Sequence, residues 1–133
     1  MTPLFTLGVT VYKRRELLNE TLASIVAQTF GDFEVIIGND YPEEPLTPQM
    51  VDVKDPRIRI VNHEQNLGEV ENMNVLLRLA RGRYVTWIAD DDLYSPKFLE
   101  QVEAALRKFD YPACVYTSFT LGSTIPEVNA GEV

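Results

Sequence analysis

Short apolar, β-rich runs alternate with helix-period stripes along nearly the whole chain, and few folds accommodate that alternation. "LFTLGVTV" (Leu4–Val11) reads as a first strand, and "RELLNETLASIVAQ" follows with Leu18, Leu22, Ile25 and Val26 at helical spacing. "FEVIIGN" (Phe33–Asn39) reads as a second strand, and "RIRIVN" (Arg57–Asn62) alternates like an edge strand. Between them "DYPEEPLTP" is a stiff loop, because Pro42, Pro45 and Pro48 exclude regular pairing. "GEVENMNVLLRLARG" places Val70, Met73, Leu77 and Ala80 on one helical face, with Gly82 as its C-cap. "RYVTWIA" reads as a buried strand. Ser95 and Pro96 then read as N-cap and first helical residue ahead of the stripe Leu99, Val102, Leu106 and Phe109, and "ACVYTSF" as a last strand. Strands alternating with helices predict an α/β domain, a mostly parallel sheet with helices on both faces.

Such sheets bind ligands beyond the carboxyl ends of their strands. Three segments, distant in sequence, end up at that rim: "TVYKRR", "GNDYP" and "ADDDLY". In the last, an apolar strand runs straight into three consecutive aspartates, Asp90–Asp92. Adjacent carboxylates repel at roughly one to a few kcal/mol per pair. A divalent cation is the simplest compensation, although a solvated loop feeding negative charge to the next helix N-terminus would also use acids.

Composition narrows the partners. A net charge of −8 speaks against a nucleic-acid surface and against adhesion to anionic membranes. No apolar run approaches the roughly 18 residues that span a bilayer. "MTPLFTLGV" lacks the basic start and long apolar core of a secretory leader. The single cysteine, Cys114, lies in an apolar run and reads as a packed small hydrophobe, in keeping with a reducing cytoplasm.

The three rims, in this order, resemble family 2 glycosyltransferases of the GT-A fold. "VTVYKRRELLNETLASIVAQTFGDFEVIIGND" is similar to the family's opening strand, its helix with "S-I-x-x-Q-T-F", and a second strand ending in acid. "NLGEVENMNVLLRLARGRYVTWIADDDLYSPKFLE" is similar to its later block, with N-x-G, a helical Asn, A-x-G, an apolar strand, the acidic cluster and then Pro. The chain most resembles SpsA-like bacterial members, in which a threonine and a tyrosine end the first strand and the acid cluster lacks its leading aspartate.

The resemblance implies roles. Thr10 and Tyr12 would lie against a nucleotide base, Tyr12 stacking on it, and Asp40 would accept the uracil ring N–H. Asp90 would face the ribose or diphosphate. Asp91 would hold Mn²⁺ or Mg²⁺, which stabilises the leaving diphosphate as a Lewis acid. Asp92 would orient a metal-bound water or cap the following turn, and one of Lys13, Arg14 and Arg15, foremost Arg14, would reach the diphosphate. The implied reaction moves a sugar, with inversion, from a UDP-type donor to a saccharide or other hydroxyl acceptor. Residues 1–119 would form the donor half of the domain. Residues 120–133 read as an irregular tail or the start of an acceptor half that would hold the catalytic base.

The chain departs from the family pattern at Lys13, where asparagine is usual, at Asn39-Asp40, where paired acids are usual, and at Ala89, where the first acid is usual. Two other classes fit parts of the sequence. One is a nucleotide-binding or regulatory domain of the same fold without turnover. The other is a receiver-type signalling module, which would need paired acids after the first strand, where "VYKRR" stands.

Overall fold

The structure, a computed structural model, describes residues 2–119 and 121–122. Its elements are β1 (Phe5–Val11), α1 (Arg15–Val26), β2 (Phe33–Asn39), β3 (Ile58–Asn62), α2 (Glu69–Leu79), β4 (Tyr84–Ala89) and α3 (Phe98–Lys108). The sheet order is β3-β2-β1-β4, and every pairing is parallel. The chain steps outward from β1 to the β3 edge, then crosses the sheet through α2 to set β4 on the other side of β1. The strand order therefore reverses between β1 and β4, where ligands of such sheets bind.

Residues paired across a parallel sheet share a face. Phe5, Leu7 and Val9 stand beside Phe33, Val35 and Ile37, with Ile88 beyond Val9 on the β4 side. Leu18, Leu22 and Ile25 of α1 and Leu99 and Leu106 of α3 belong to the same buried cluster. The opposite face receives α2. As expected, helices cover both faces, and the predicted edge strand lies at the β3 edge.

The α2 stripe differs from the expected one. Val70 is 74% and Leu77 52% exposed, while Asn72 and Leu76 are buried. The groove explains the rotation. A Cβ on Gly38 would lie 2.1 Å from Asn72 Oδ1, so this floor admits the amide of Asn72, which donates to Gly38 O at 2.9 Å. His63 Nε2 meets the same Oδ1 at 2.7 Å, so the half-buried His63 supports the amide from its other side.

Three further expectations are corrected. Gly82 caps no helix: α2 ends at Leu79, and the Gly82 N–H donates to Thr6 Oγ1 at 2.8 Å. Ser95 and Pro96 precede α3, whose N-cap is Lys97. Their carbonyls are held by Gln28 Nε2 (2.6 Å) and the Thr29 N–H (3.0 Å), which delays the helix; Phe109, past its end, is exposed. "ACVYTSF" forms no strand: Cys114 is exposed, as are Tyr116 and Phe119, and Val115 alone packs against the core. Strand propensity without a paired ladder and a buried face does not make a strand. Residue 120 and residues 123–133 of the expected tail lie outside the described residues.

Glu34 ties the amino-terminal half of the sheet together. Its carboxylate accepts from the Thr6 hydroxyl (2.8 Å), the Arg81 N–H (2.7 Å) and Arg59 Nη2 (3.2 Å). Burial alone would raise its pKa, but the Arg81 N–H, Thr6 and Arg59 outweigh that and hold it below the ordinary glutamate value. A lowered folded-state pKa contributes stability that is complete above the ordinary value and lost as pH falls through the lowered one. Urea denaturation should show Glu34→Gln costing about 1 kcal/mol at pH 7. The variant should also show a shallower loss of stability than wild type below about pH 4. Equal acid limbs in the two proteins would contradict this account of Glu34.

Candidate donor-binding site

The β1–α1 turn carries the basic groups of the rim. Lys13 has φ 67°, a left-handed conformation that turns the chain sharply after Tyr12. Arg14, next in sequence, is laid across the acids that follow β4. Its Nη2 lies 2.6 Å from Asp90 Oδ1, and its Nη1 donates to Asp91 Oδ2 at 2.6 Å. Nε donates to Asp90 Oδ2 at 3.3 Å. The approach to Asp90 Oδ1 is close but lacks hydrogen-bond alignment, so this buried oxygen is left without a hydrogen bond. Asp90 is 1% exposed. Burial raises its pKa, Arg14 and the Tyr12 backbone N–H pull it down, and the neighbouring Asp91 adds to the rise. Asp90 in turn raises the pKa of Arg14.

A polar stripe beside the apolar face of α1 fixes the loop that bears these acids. Thr21 donates to Asp92 O at 2.8 Å, and Ser24 Oγ accepts the Tyr94 N–H at 3.3 Å. Gln28, buried just past α1, donates to Ser95 O at 2.6 Å and accepts the Leu99 N–H at 3.0 Å. Thr21, Ser24 and Gln28 recur at helical spacing next to Leu18, Leu22 and Ile25. That adjacency was available in the sequence as a sign that they hold something.

Asp40 sits at the same rim, its N–H donating to Val11 O at 3.0 Å. Its carboxylate turns inward, accepting the Leu67 N–H at 2.7 Å and the Gly68 N–H at 2.9 Å, and the residue is 4% exposed. Next to it Tyr41 meets Tyr12 edge to face, with ring centroids 5.5 Å apart. Lys13 Nζ lies 5.0 Å from the Tyr12 centroid and 4.7 Å from that of Tyr41. Thr10 stands one residue below the rim, between Gly38 and Ala89. Asp91 and Asp92 are exposed, Asp92 being held through its backbone. Tyr12, Arg14, Asp90 and Asp91 thus form one continuous rim at the point where strand order reverses, with Asp40 adjoining. Tyr41, read in the sequence only as part of a stiff loop, joins them.

The sequence model of the family described as "Glycosyl transferase family 2" matches residues 6–124. The chain belongs to glycosyl transferase family 2. An uncharacterized glycosyltransferase of Haemophilus influenzae is 28% identical over 111 residues, a stretch covering 82% of this chain and 34% of that protein. S. aureus TarS 1–349 in complex with UDP-GlcNAc superposes with a TM-score of 0.70 at 25% identity, over 78% of this chain and 31% of TarS 1–349. The mannosyltransferase PcManGT of Pyrobaculum calidifontis, solved with GDP-Man and Mn²⁺, superposes at 0.66 and 21% identity over 80% and 33% of the two chains, a likeness of fold. The sheet is thus that of the GT-A glycosyltransferases, and the receiver-type reading is set aside. This family 2 chain spans about a third of the length of the curated relatives it matches. No helix among its described residues is long and apolar enough to cross a membrane.

The acids of this family 2 chain fit a hard divalent cation. Carboxylate oxygens suit Mg²⁺ and Mn²⁺. Asp90 Oδ1 and Asp91 Oδ2 both face the Arg14 guanidinium at 2.6 Å, so a cation at this rim would share these carboxylates with Arg14. Among the described residues no three His, Cys, Asp or Glu side chains converge as a ready metal cage. A rim with two exposed carboxylates suits an ion that completes its shell with water and phosphate oxygens.

Proposed function

We propose that the chain is the donor-binding part of a metal-dependent, inverting glycosyltransferase that takes a UDP-sugar and glycosylates an acceptor hydroxyl. The observation that carries this is the rim of Tyr12, Arg14, Asp90 and Asp91 at the β1–β4 reversal. The family match and the UDP-GlcNAc complex of TarS support it.

In this reading Thr10 and Tyr12 bind the nucleoside, Tyr12 presenting its ring to the base. Asp40 shapes the base-binding end of the site through the Leu67–Gly68 turn it holds. Asp90 faces the ribose or diphosphate, and Arg14 donates to the diphosphate oxygens. Asp91, with Asp92, holds Mn²⁺ or Mg²⁺. The ion, when bound, supplies Lewis-acid stabilisation of the leaving diphosphate. Residues 1–119 constitute this donor half. No general base is assigned, and acceptor chemistry belongs to residues beyond it.

Calorimetric titration with UDP, in Mn²⁺ and in chelator, tests the reading. UDP should bind more tightly with Mn²⁺. Equal affinity in the two conditions removes the metal from the mechanism, and absence of UDP binding removes the nucleotide.

A further inference from the structure

We infer that Tyr41 and Lys13 select the base of the donor nucleotide, favouring one that offers carbonyl oxygens on its edge. The inference rests on the nucleotide-binding reading above and adds residues that the reading does not use.

Three observations converge. The first is that Asp40, the expected acceptor for a base N–H, has both carboxylate oxygens on backbone N–H groups and is buried. The polar group lying over the aromatic rings of this rim is instead the Lys13 ammonium, 5.0 Å from the Tyr12 centroid and 4.7 Å from that of Tyr41. The second is that the loop presenting Tyr41 is fastened from below by a buried amide. Asn39 Nδ2 donates to Glu44 O (3.0 Å) and Asn62 Oδ1 (2.9 Å), while its Oδ1 accepts the Tyr41 N–H (3.2 Å). An aspartate at position 39 could make only the last of these bonds, because a carboxylate does not donate. Asn39 and Tyr41 therefore belong together: the amide builds the loop that holds the ring. The third is that Lys13 keeps its left-handed backbone although lysine has no special affinity for it. That conformation accompanies a side chain folded back over the two rings.

The chemistry follows from the donor inventory. Two aromatic rings meeting at an angle form a corner that takes the face of a flat heterocycle on one ring and its edge against the other. An ammonium has three donors and no acceptor. Uracil and thymine present carbonyl oxygens on either side of the ring N–H and satisfy it. Cytosine carries an exocyclic amino group, a donor, where uracil has its second carbonyl, and adenine has no carbonyl oxygen at all. The corner therefore favours UDP and dTDP over CDP and ADP, the Lys13 ammonium moving from over the two rings to the carbonyl edge of the base.

The test is calorimetric titration of the chain, in Mn²⁺, with UDP, CDP and inorganic pyrophosphate, for wild type, Tyr41→Phe, Tyr41→Ala and Lys13→Met. Tyr41→Ala should weaken UDP by at least roughly 5-fold, the lower end of the range for loss of a base–aromatic contact. Tyr41→Phe should bind UDP like wild type, and pyrophosphate affinity should be the same in all four proteins. Lys13→Met should bring UDP and CDP to within about twofold of each other, from a wild-type preference for UDP. Wild-type-like UDP binding by Tyr41→Ala overturns the inference and leaves the nucleotide reading standing, as does a UDP preference that survives Lys13→Met. Equal losses of UDP and pyrophosphate in Tyr41→Ala also overturn it, since they mark a disturbed fold and not a base contact. Wild type that binds neither ligand overturns both readings.

Discussion

Exchanging Asp91 for asparagine is expected to weaken Mn²⁺ binding in the presence of UDP by at least roughly 100-fold, because loss of a partner that merely orients a metal ligand already costs 10–100-fold. Asparagine keeps the volume and one carbonyl oxygen but removes the charge. The fold should survive. Asp91 is an exposed residue whose ion pair with Arg14 also faces solvent, and pairs of that kind contribute little stability. The melting temperature of Asp91→Asn should therefore stay within a few degrees of wild type while calorimetry loses the metal dependence. An unchanged Mn²⁺ titration would move the ligand role to Asp92 or out of this rim altogether.

Gly82→Ala is expected to have the largest effect on stability. An added Cβ would lie 2.4 Å from Thr6 N, 2.6 Å from the Phe5 carbonyl carbon and 2.7 Å from Thr6 Oγ1. Two of those atoms are backbone of β1, a strand hydrogen-bonded on both sides, so neither neighbour can yield cheaply. The methyl would also push apart the Gly82–Thr6 hydrogen bond that brings the chain into β4. Overpacking of this kind costs about 3 kcal/mol or more. In a domain of this size that lowers the melting temperature by about 10 °C. A melting temperature within two or three degrees of wild type would mean that the turn before β4 is free to move away from β1.

The contrast between these two positions describes what the sequence made legible. β2 lies at Phe33–Asn39 as read, and the first helix buries Leu18, Leu22 and Ile25 as read, because both depend on periodic patterns within a single element. Gly82 shows the same glycine in sequence whether it caps a helix or admits a neighbouring strand; only the strand decides. Likewise the α2 face is set by Gly38, more than thirty residues away, whose missing side chain makes room for an amide where an apolar stripe was expected. "ACVYTSF" has the composition of a strand, and composition contains no information about whether a paired edge and a buried face are present.

At the candidate site the same division holds. The acids, Tyr12 and the basic turn were visible as strand-end groups that an α/β sheet must gather on one rim. The direction of the Asp40 carboxylate was not visible, since it depends on two N–H groups in the turn between the neighbouring β3 and α2. Tyr41 was hidden among prolines, and its place beside Tyr12 follows from the fastening of its loop by Asn39.

Because Lys13 is held at φ 67°, asparagine or glycine would occupy that position with less strain. Laboratory evolution for heat tolerance would accordingly discard this lysine early. If Lys13 selects the base as proposed, the survivors would be hardier proteins with blunted discrimination among donors.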